Sequence, residues 1–275
     1  MAARLGLRFA ALGYLALLLV LPVGMVFWRT FQHGIGPVWD AATTPEALHA
    51  LWLTLLIAMI AVPANTIFGV VCALVLVRDR FRGKTFLNAL VDLPFALSPV
   101  VIGLALFLVY ARNGWLGGWL LDNGIRVIFA LPGMILATIF VSLPFVVREV
   151  VPVLREIGTE QEEAAWTLGA SPFATFRRIT LPAIRWGVTY GVVLTTARAI
   201  GEFGAVSVVS GSIAGRTETL TLHVQDRFQS FDLTGAYTAS VELALIAVLT
   251  LLVMTLLRRE RPGGDSDSPG DEALR

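Results

Sequence analysis

Residues 50–77 run without a single charged side chain. About 20 apolar residues in an α-helix are enough to cross the roughly 30 Å hydrocarbon core of a bilayer. This chain holds further long apolar runs at 9–27, 93–111, 127–147, 186–209 and 236–257. Lipid offers no partner to a free N–H or C=O, so each crossing run is expected to be helical. Apolar residues make up 56% of the chain and charged residues 15%, with a mean hydropathy of +0.75. A soluble domain of this size has no core large enough for that surface. The expectation is an all-α integral membrane protein with six transmembrane helices.

The runs differ in detail. Arg4 and Arg8 precede 9–27, which is too long for a signal-peptide core and lacks a small-x-small cleavage site, so it is read as a retained first helix. Residues 28–49 read as a polar outer loop whose Trp28, Phe31 and Trp39 suit the headgroup level. Pro63 and Asn65 predict a kink in the second span that needs a neighbouring helix to satisfy it. Asp92, Pro94, Ser98 and Pro99 crowd the start of the third, where two prolines interrupt the hydrogen-bond ladder. Either a kinked helix or irregular backbone covered by protein results. Residues 112–126 and 211–235 read as loops, and the fourth span carries Pro132 and Pro144. After Arg258, Arg259 and Arg261 the tail has the composition of disorder. The lone Cys72 excludes an intrachain disulfide, and three scattered histidines give no metal-site spacing.

Net charge is only +1, but the basic residues are unevenly placed. With six spans, Arg29, Arg112, Arg126, Arg216 and Arg227 fall on one side, and three times as many fall with the termini, the 78–84 loop and the 159–182 stretch. The positive-inside rule then puts both termini and that stretch in the cytoplasm.

The polar stretch 159–182 has its own logic. Thr159 and Glu162 are spaced as a capping box, and Glu160, Glu162 and Glu163 suit a helix N-terminus. Gly169 suits the left-handed residue that ends a helix, and Ser171-Pro172 starts another. Arg177 and Arg178 fall where that second short helix ends, and Leu181-Pro182 launches the next span. Within that fifth span Arg198 and Glu202 are four apart and share a helix face. An intramembrane ion pair either pins helices together or lines a path for charge. Gly201 and Gly204 let another backbone come close.

Glu163-Ala164-Ala165, Gly169, Ile179 and Leu181-Pro182 match without a gap the EAA loop that ABC importer permeases use for coupling. The run 197–224 resembles that of sulfate permease subunits of the CysW type, and the stretch 92–104 resembles the third-span entry shared by sulfate, thiosulfate and molybdate permeases. The resemblance spans roughly 10–260. It implies an ABC type I importer permease fold with a cytoplasmic coupling helix–turn–helix, in a bacterial inner membrane. It implies three regions: a first helix and outer loop at 1–46, the permease domain at 47–257, and a basic end with its tail at 258–275. Glu163, Ala164, Ala165, Gly169, Phe176, Ile179, Leu181 and Pro182 would serve ATPase coupling. Ser98, Arg198, Glu202, Ser207 and Ser210 would line the anion pathway or the subunit interface. The implied partners are an ATP-binding subunit using ATP and Mg²⁺, a T-type sister permease, and a periplasmic sulfate- or thiosulfate-binding protein, with no nucleic acid.

The chain carries no GxxxxGK[ST] pattern, so the expectation is a transporter subunit that binds no cofactor of its own. A molybdate or tungstate permease is the nearer alternative. An ion-coupled carrier would need more intramembrane acids than Glu202 and Glu242, and internal symmetry. An intramembrane enzyme would need a base, and no histidine is expected within a span.

Overall fold

The computed structural model describes residue 8 and residues 12–259, and the described residues are helices joined by short connections. Helix α1, Leu12–Phe31, packs against the last helix, while its apolar side chains stay exposed. The start of the first span and the tail expected to be disordered lie outside the described residues. Helix α2, Ile35–Ala42, occupies the stretch expected to be a loop. Helix α3, Pro45–Arg78, starts on a Thr44 cap that accepts from the Ala47 N–H. It begins earlier than the expected second span, so the boundary proposed at 46/47 falls in its first turn. His49 therefore does lie in a spanning helix, against expectation.

Helix α3 continues through Pro63 without a break. The expected need for a neighbour appears two residues on, where Asn65 Nδ2 donates to Ile139 O (3.1 Å) and Ser142 Oγ (2.8 Å) of helix α7. The third apolar run is not one straight helix. Helix α4, Lys84–Ala96, and helix α5, Pro99–Tyr110, meet at 111°. Leu97 and Ser98 are both extended there, Ser98 as sterics demand of a residue before proline. The short α6, Gly117–Asp122, sits in the next connection, and α7, Leu131–Glu156, forms the fourth span despite Pro144 and Pro152.

Helix α8, Glu160–Thr167, precedes a tight turn into α9, Pro172–Ile200. The second short helix expected in the hairpin has no end of its own. A π-helical turn at Phe176–Thr180 carries it into the fifth span, so Arg177 and Arg178 lie within a continuous helix. There the Leu181 N–H bonds Phe176 O, five residues back, beside a Pro182 that has no N–H to give. The expected fifth span then breaks, and α10, Gly204–Ser210, leaves at 52°. The expected loop 211–235 contains α11, Leu220–Gln229, and α12, Leu233–Arg259, closes the chain. Among the described residues four helices can cross a membrane unaided, or six spans exist if each bent pair counts once.

Helix α7 is the hub, packed against both α3 and α9, which also touch each other. Close approach is licensed by missing side chains: a Cβ at Gly69 would lie 2.6 Å from Val146 Cβ, and one at Gly191 2.8 Å from Val146 Cα. One core cluster holds Leu53, Ile102, Met134 and Val206 around the two helix breaks. Another holds Leu76, Val150, Leu154 and Ile184 near the hairpin.

Candidate functional site

The hairpin is bolted to the helix ends beneath it. Arg78, the last residue of α3, donates from Nη1 to Leu154 O (3.1 Å) and from Nη2 to Gly158 O (2.7 Å). A cation there answers the carbonyls left open at the C-terminus of α7. The same guanidinium meets Glu162, Nε to Oε2 at 3.0 Å, with both side chains largely buried. Thr180 Oγ1 donates to Glu162 Oε1 at 2.7 Å. One carboxylate thus ties α8 to α3 and to the π-turn of α9.

That overturns the expected capping box. Thr159 takes a φ of −113° and ψ of −6°, outside the usual cap geometry, and caps nothing with its side chain. Its hydroxyl donates instead to Glu163 Oε1 at 2.7 Å. The Arg78 contact outweighs the cap because it also satisfies buried charge. The turn itself is as expected. Gly169 has a φ of +83°, and Ser171 Oγ accepts from the Ala174 N–H at 3.3 Å.

The hairpin's residues divide by face. Glu163, Ala164 and Gly169 are exposed, while Ala165 is buried and Phe176 packs into the core beneath. Ile179 is half-buried, and Leu181 and Pro182 are exposed. Sequence reasoning missed the large apolar side chains that the hairpin leaves exposed: Trp166 is 53% exposed, Phe173 72% and Leu168 88%. Three large apolar groups beside acidic ones on a membrane protein's polar end mark a surface that something else covers.

The second cluster lies at the two breaks. Arg198 Nη1 meets Glu202 Oε2 at 2.6 Å, the i,i+4 pair expected from spacing. Glu202 does more than pair. It lies just past the end of α9, and its Oε1 accepts from the Ala205 N–H at 2.8 Å, capping α10. Thr221 Oγ1 donates to Glu202 O at 2.8 Å, fastening the first turn of α11. The α4/α5 break is packed on this one, since a Cβ at Gly204 would lie 2.9 Å from Pro99 Cβ. Ser98 is exposed at that junction. Ser207 and Ser210 turn to backbone: Ser207 Oγ donates to Gly204 O (2.8 Å), and Ser210 Oγ accepts from the Ser212 N–H (3.0 Å).

A third cluster was not foreseen. Arg148 of α7 binds Asp92 of α4 through Nε–Oδ1 at 2.7 Å and a second contact from Nη2 to Oδ2. Separations of 56 residues leave no pattern in a sequence.

Residues 65–260 match the family of binding-protein-dependent transport system inner membrane components. The chain is 51% identical over 249 residues to the sulfate transport system permease protein CysW of Synechocystis sp., covering 90% of each. It is 50% identical to the CysW protein of Escherichia coli K12, over 88% of this chain and 84% of that one. The CysT sulfate permease protein of Salmonella typhimurium is 41% identical, over 90% and 89%. Among solved structures, a bacterial ABC transporter that imports alginate superposes with a TM-score of 0.79 at 16% identity, over 94% of this chain and 96% of that one. The MetNI methionine ABC transporter gives 0.59 at 19%, over 77% and 94%. At such identities the likeness is one of fold.

Proposed function

Because the chain belongs to the family of binding-protein-dependent transport system inner membrane components, we propose that it is a membrane-spanning permease subunit of an ATP-driven importer of sulfate and thiosulfate. A T-type sister permease completes the channel, a periplasmic binding protein delivers the anion, and two ATP-binding subunits supply the work. The chain itself holds neither the ATPase site nor a cofactor. Both termini and the hairpin face the cytoplasm, which agrees with the excess of basic residues on that side.

The observation that carries the coupling role is the anchoring of the hairpin by Glu162. A lever must be stiff at its root and open at its face. Glu162 fixes the root to two spanning helices, and Glu163, Ala164, Gly169, Leu168 and Phe173 form the face. ATP-driven closure of the ATPases moves the hairpin, and α9 conducts that motion without a joint as far as Ile200. There Arg198 and Glu202 stand at the two meeting breaks, and with Ser98 they form the polar point of the pathway. Ser207 and Ser210 support the shape of α10 rather than meeting the anion. Lipid covers the apolar face of α1.

The test is a reconstitution of both permeases and the ATPase in proteoliposomes, with the binding protein on one side and ATP on the other. ATP-dependent uptake of labelled sulfate is expected. Uptake of molybdate or tungstate without sulfate or thiosulfate would favour the neighbouring substrate class, and uptake with no ATPase attached would end the reading. Replacing Arg198 with Ala is expected to lower uptake while the ATPase still co-purifies.

A further inference from the structure

The Arg148–Asp92 pair joins two candidate spanning helices, α4 and α7, and the polar break above does not account for it. Arg148 is eight residues short of the end of α7, Leu131–Glu156, or about 12 Å along the axis. A helix of 26 residues is about 39 Å long against a hydrocarbon core of roughly 30 Å, and centred on that layer it carries Arg148 about 8 Å inside the edge. Yet it is not sealed there. The side chains of Arg148 and Asp92 are 32% and 43% exposed in this chain. Charges open to lipid are costly, and those within spans almost always face the bundle interior or water. The surroundings agree. Thr85, Asn88, Ala89, Asp92 and Ala96 recur at helical spacing along α4, all exposed or half-buried and all small or polar.

The guanidinium is held by Asp92 Oδ1 and Oδ2, and Nη2 also reaches Asn88 Oδ1 at 3.3 Å. A planar fork so arranged accepts two oxygens of one tetrahedral oxyanion as readily as a carboxylate. A second guanidinium lies at another depth. Helix α9 runs antiparallel to α7, with Gly187 against Glu149 O and Gly191 against Val146. Arg198 is then about 15 Å further along than the level of Arg148. Each arginine is occupied by a carboxylate of its own chain.

We infer that Arg148 is an oxyanion-binding group on the transport route, and that Asp92 stands in for the anion when none is bound. This rests on the sulfate-importer reading above. A sulfate dianion leaving the upper pair displaces Asp92, binds Arg148, and is expelled when the carboxylate returns. Only non-covalent contacts exchange, so a permanent deep anion trap is avoided.

The reconstituted four-part transporter tests it. Arg148→Gln is expected to lower sulfate uptake by at least about tenfold while the complex still co-purifies, and Arg148→Lys to raise the half-saturating sulfate concentration, because a point charge lacks the fork. Asp92→Asn is expected to tighten sulfate binding measured without the binding protein by about tenfold, since the internal competitor is gone. The reversed pair, Asp92→Arg with Arg148→Asp, is expected to restore the thermal midpoint of the complex but not uptake. Restored uptake in the reversed pair would show a structural tie and overturn the inference, as would normal uptake by Arg148→Gln. If Arg148→Gln does not assemble, Arg148→Lys and the reversed pair decide. Absence of sulfate uptake by the unaltered transporter would instead refute the importer reading.

Discussion

Glu162 and Glu202 invite comparison. Both are acidic, both are buried, and both hold an arginine. Glu202 reaches four residues back along its own helix and three forward to the Ala205 N–H. Its work is local: it stabilises a break and starts the next half-helix. Glu162 reaches 84 residues back to Arg78 and 18 forward to Thr180. Its work is to bind an otherwise separate hairpin to the membrane body. A local pair shapes one element, whereas a distant pair ties two together, and in the proposed coupling only the second can carry force.

The comparison is broken most severely at Glu162. Glu162→Ala leaves Arg78 buried beside carbonyls but without its anion, a loss of about 3–5 kcal/mol. The expected outcome is a hairpin cut readily by protease and lost co-purification of the ATPase. Glu202→Ala removes a cap and one side of a local pair, on the order of 2 kcal/mol. A lower thermal midpoint in detergent is expected with the hairpin still protease-resistant. If both variants loosened the hairpin equally, the local and distant roles would not be separable.

Gly169→Leu sharpens the contrast between stability and coupling. Nothing lies within 4 Å of a Cβ there, so the strain is that of the left-handed backbone alone, about 1–2 kcal/mol. Insertion is expected to survive and uptake to vanish, because the new side chain fills the docking face. Gly169→Asn, which tolerates that backbone with a smaller group, should retain part of the uptake. The smallest effect is expected of Ser171→Ala, about 1 kcal/mol from the lost cap, seen as faster hydrogen exchange in the Pro172–Thr175 turn.

Much was legible before any coordinates. The apolar runs gave the class, and the turn at Gly169 and Ser171 followed from residues one or two apart. The i,i+4 pair at Arg198 was equally readable. The misreadings have one cause. Trp28–His49 and the 211–235 stretch read as loops because helices of 8 and 10 residues repeat their apolar pattern for only two or three turns, yet α2 and α11 form there. Pro63, Pro144 and Pro152 stay within continuous helices, while the chain breaks before Pro99. All carry the same local penalty, so packing chose among them.

The sequence by itself determined that this is a helical membrane protein with a charged hairpin between its fourth and fifth apolar runs, because hydropathy and capping act over a few residues. Tertiary structure alone decided that Glu162 binds Arg78 rather than capping α8, that two broken helices meet at Gly204 and Pro99, and that Arg148 finds Asp92. Such contacts join residues tens of positions apart, and their energy exists only once the helices between them have packed.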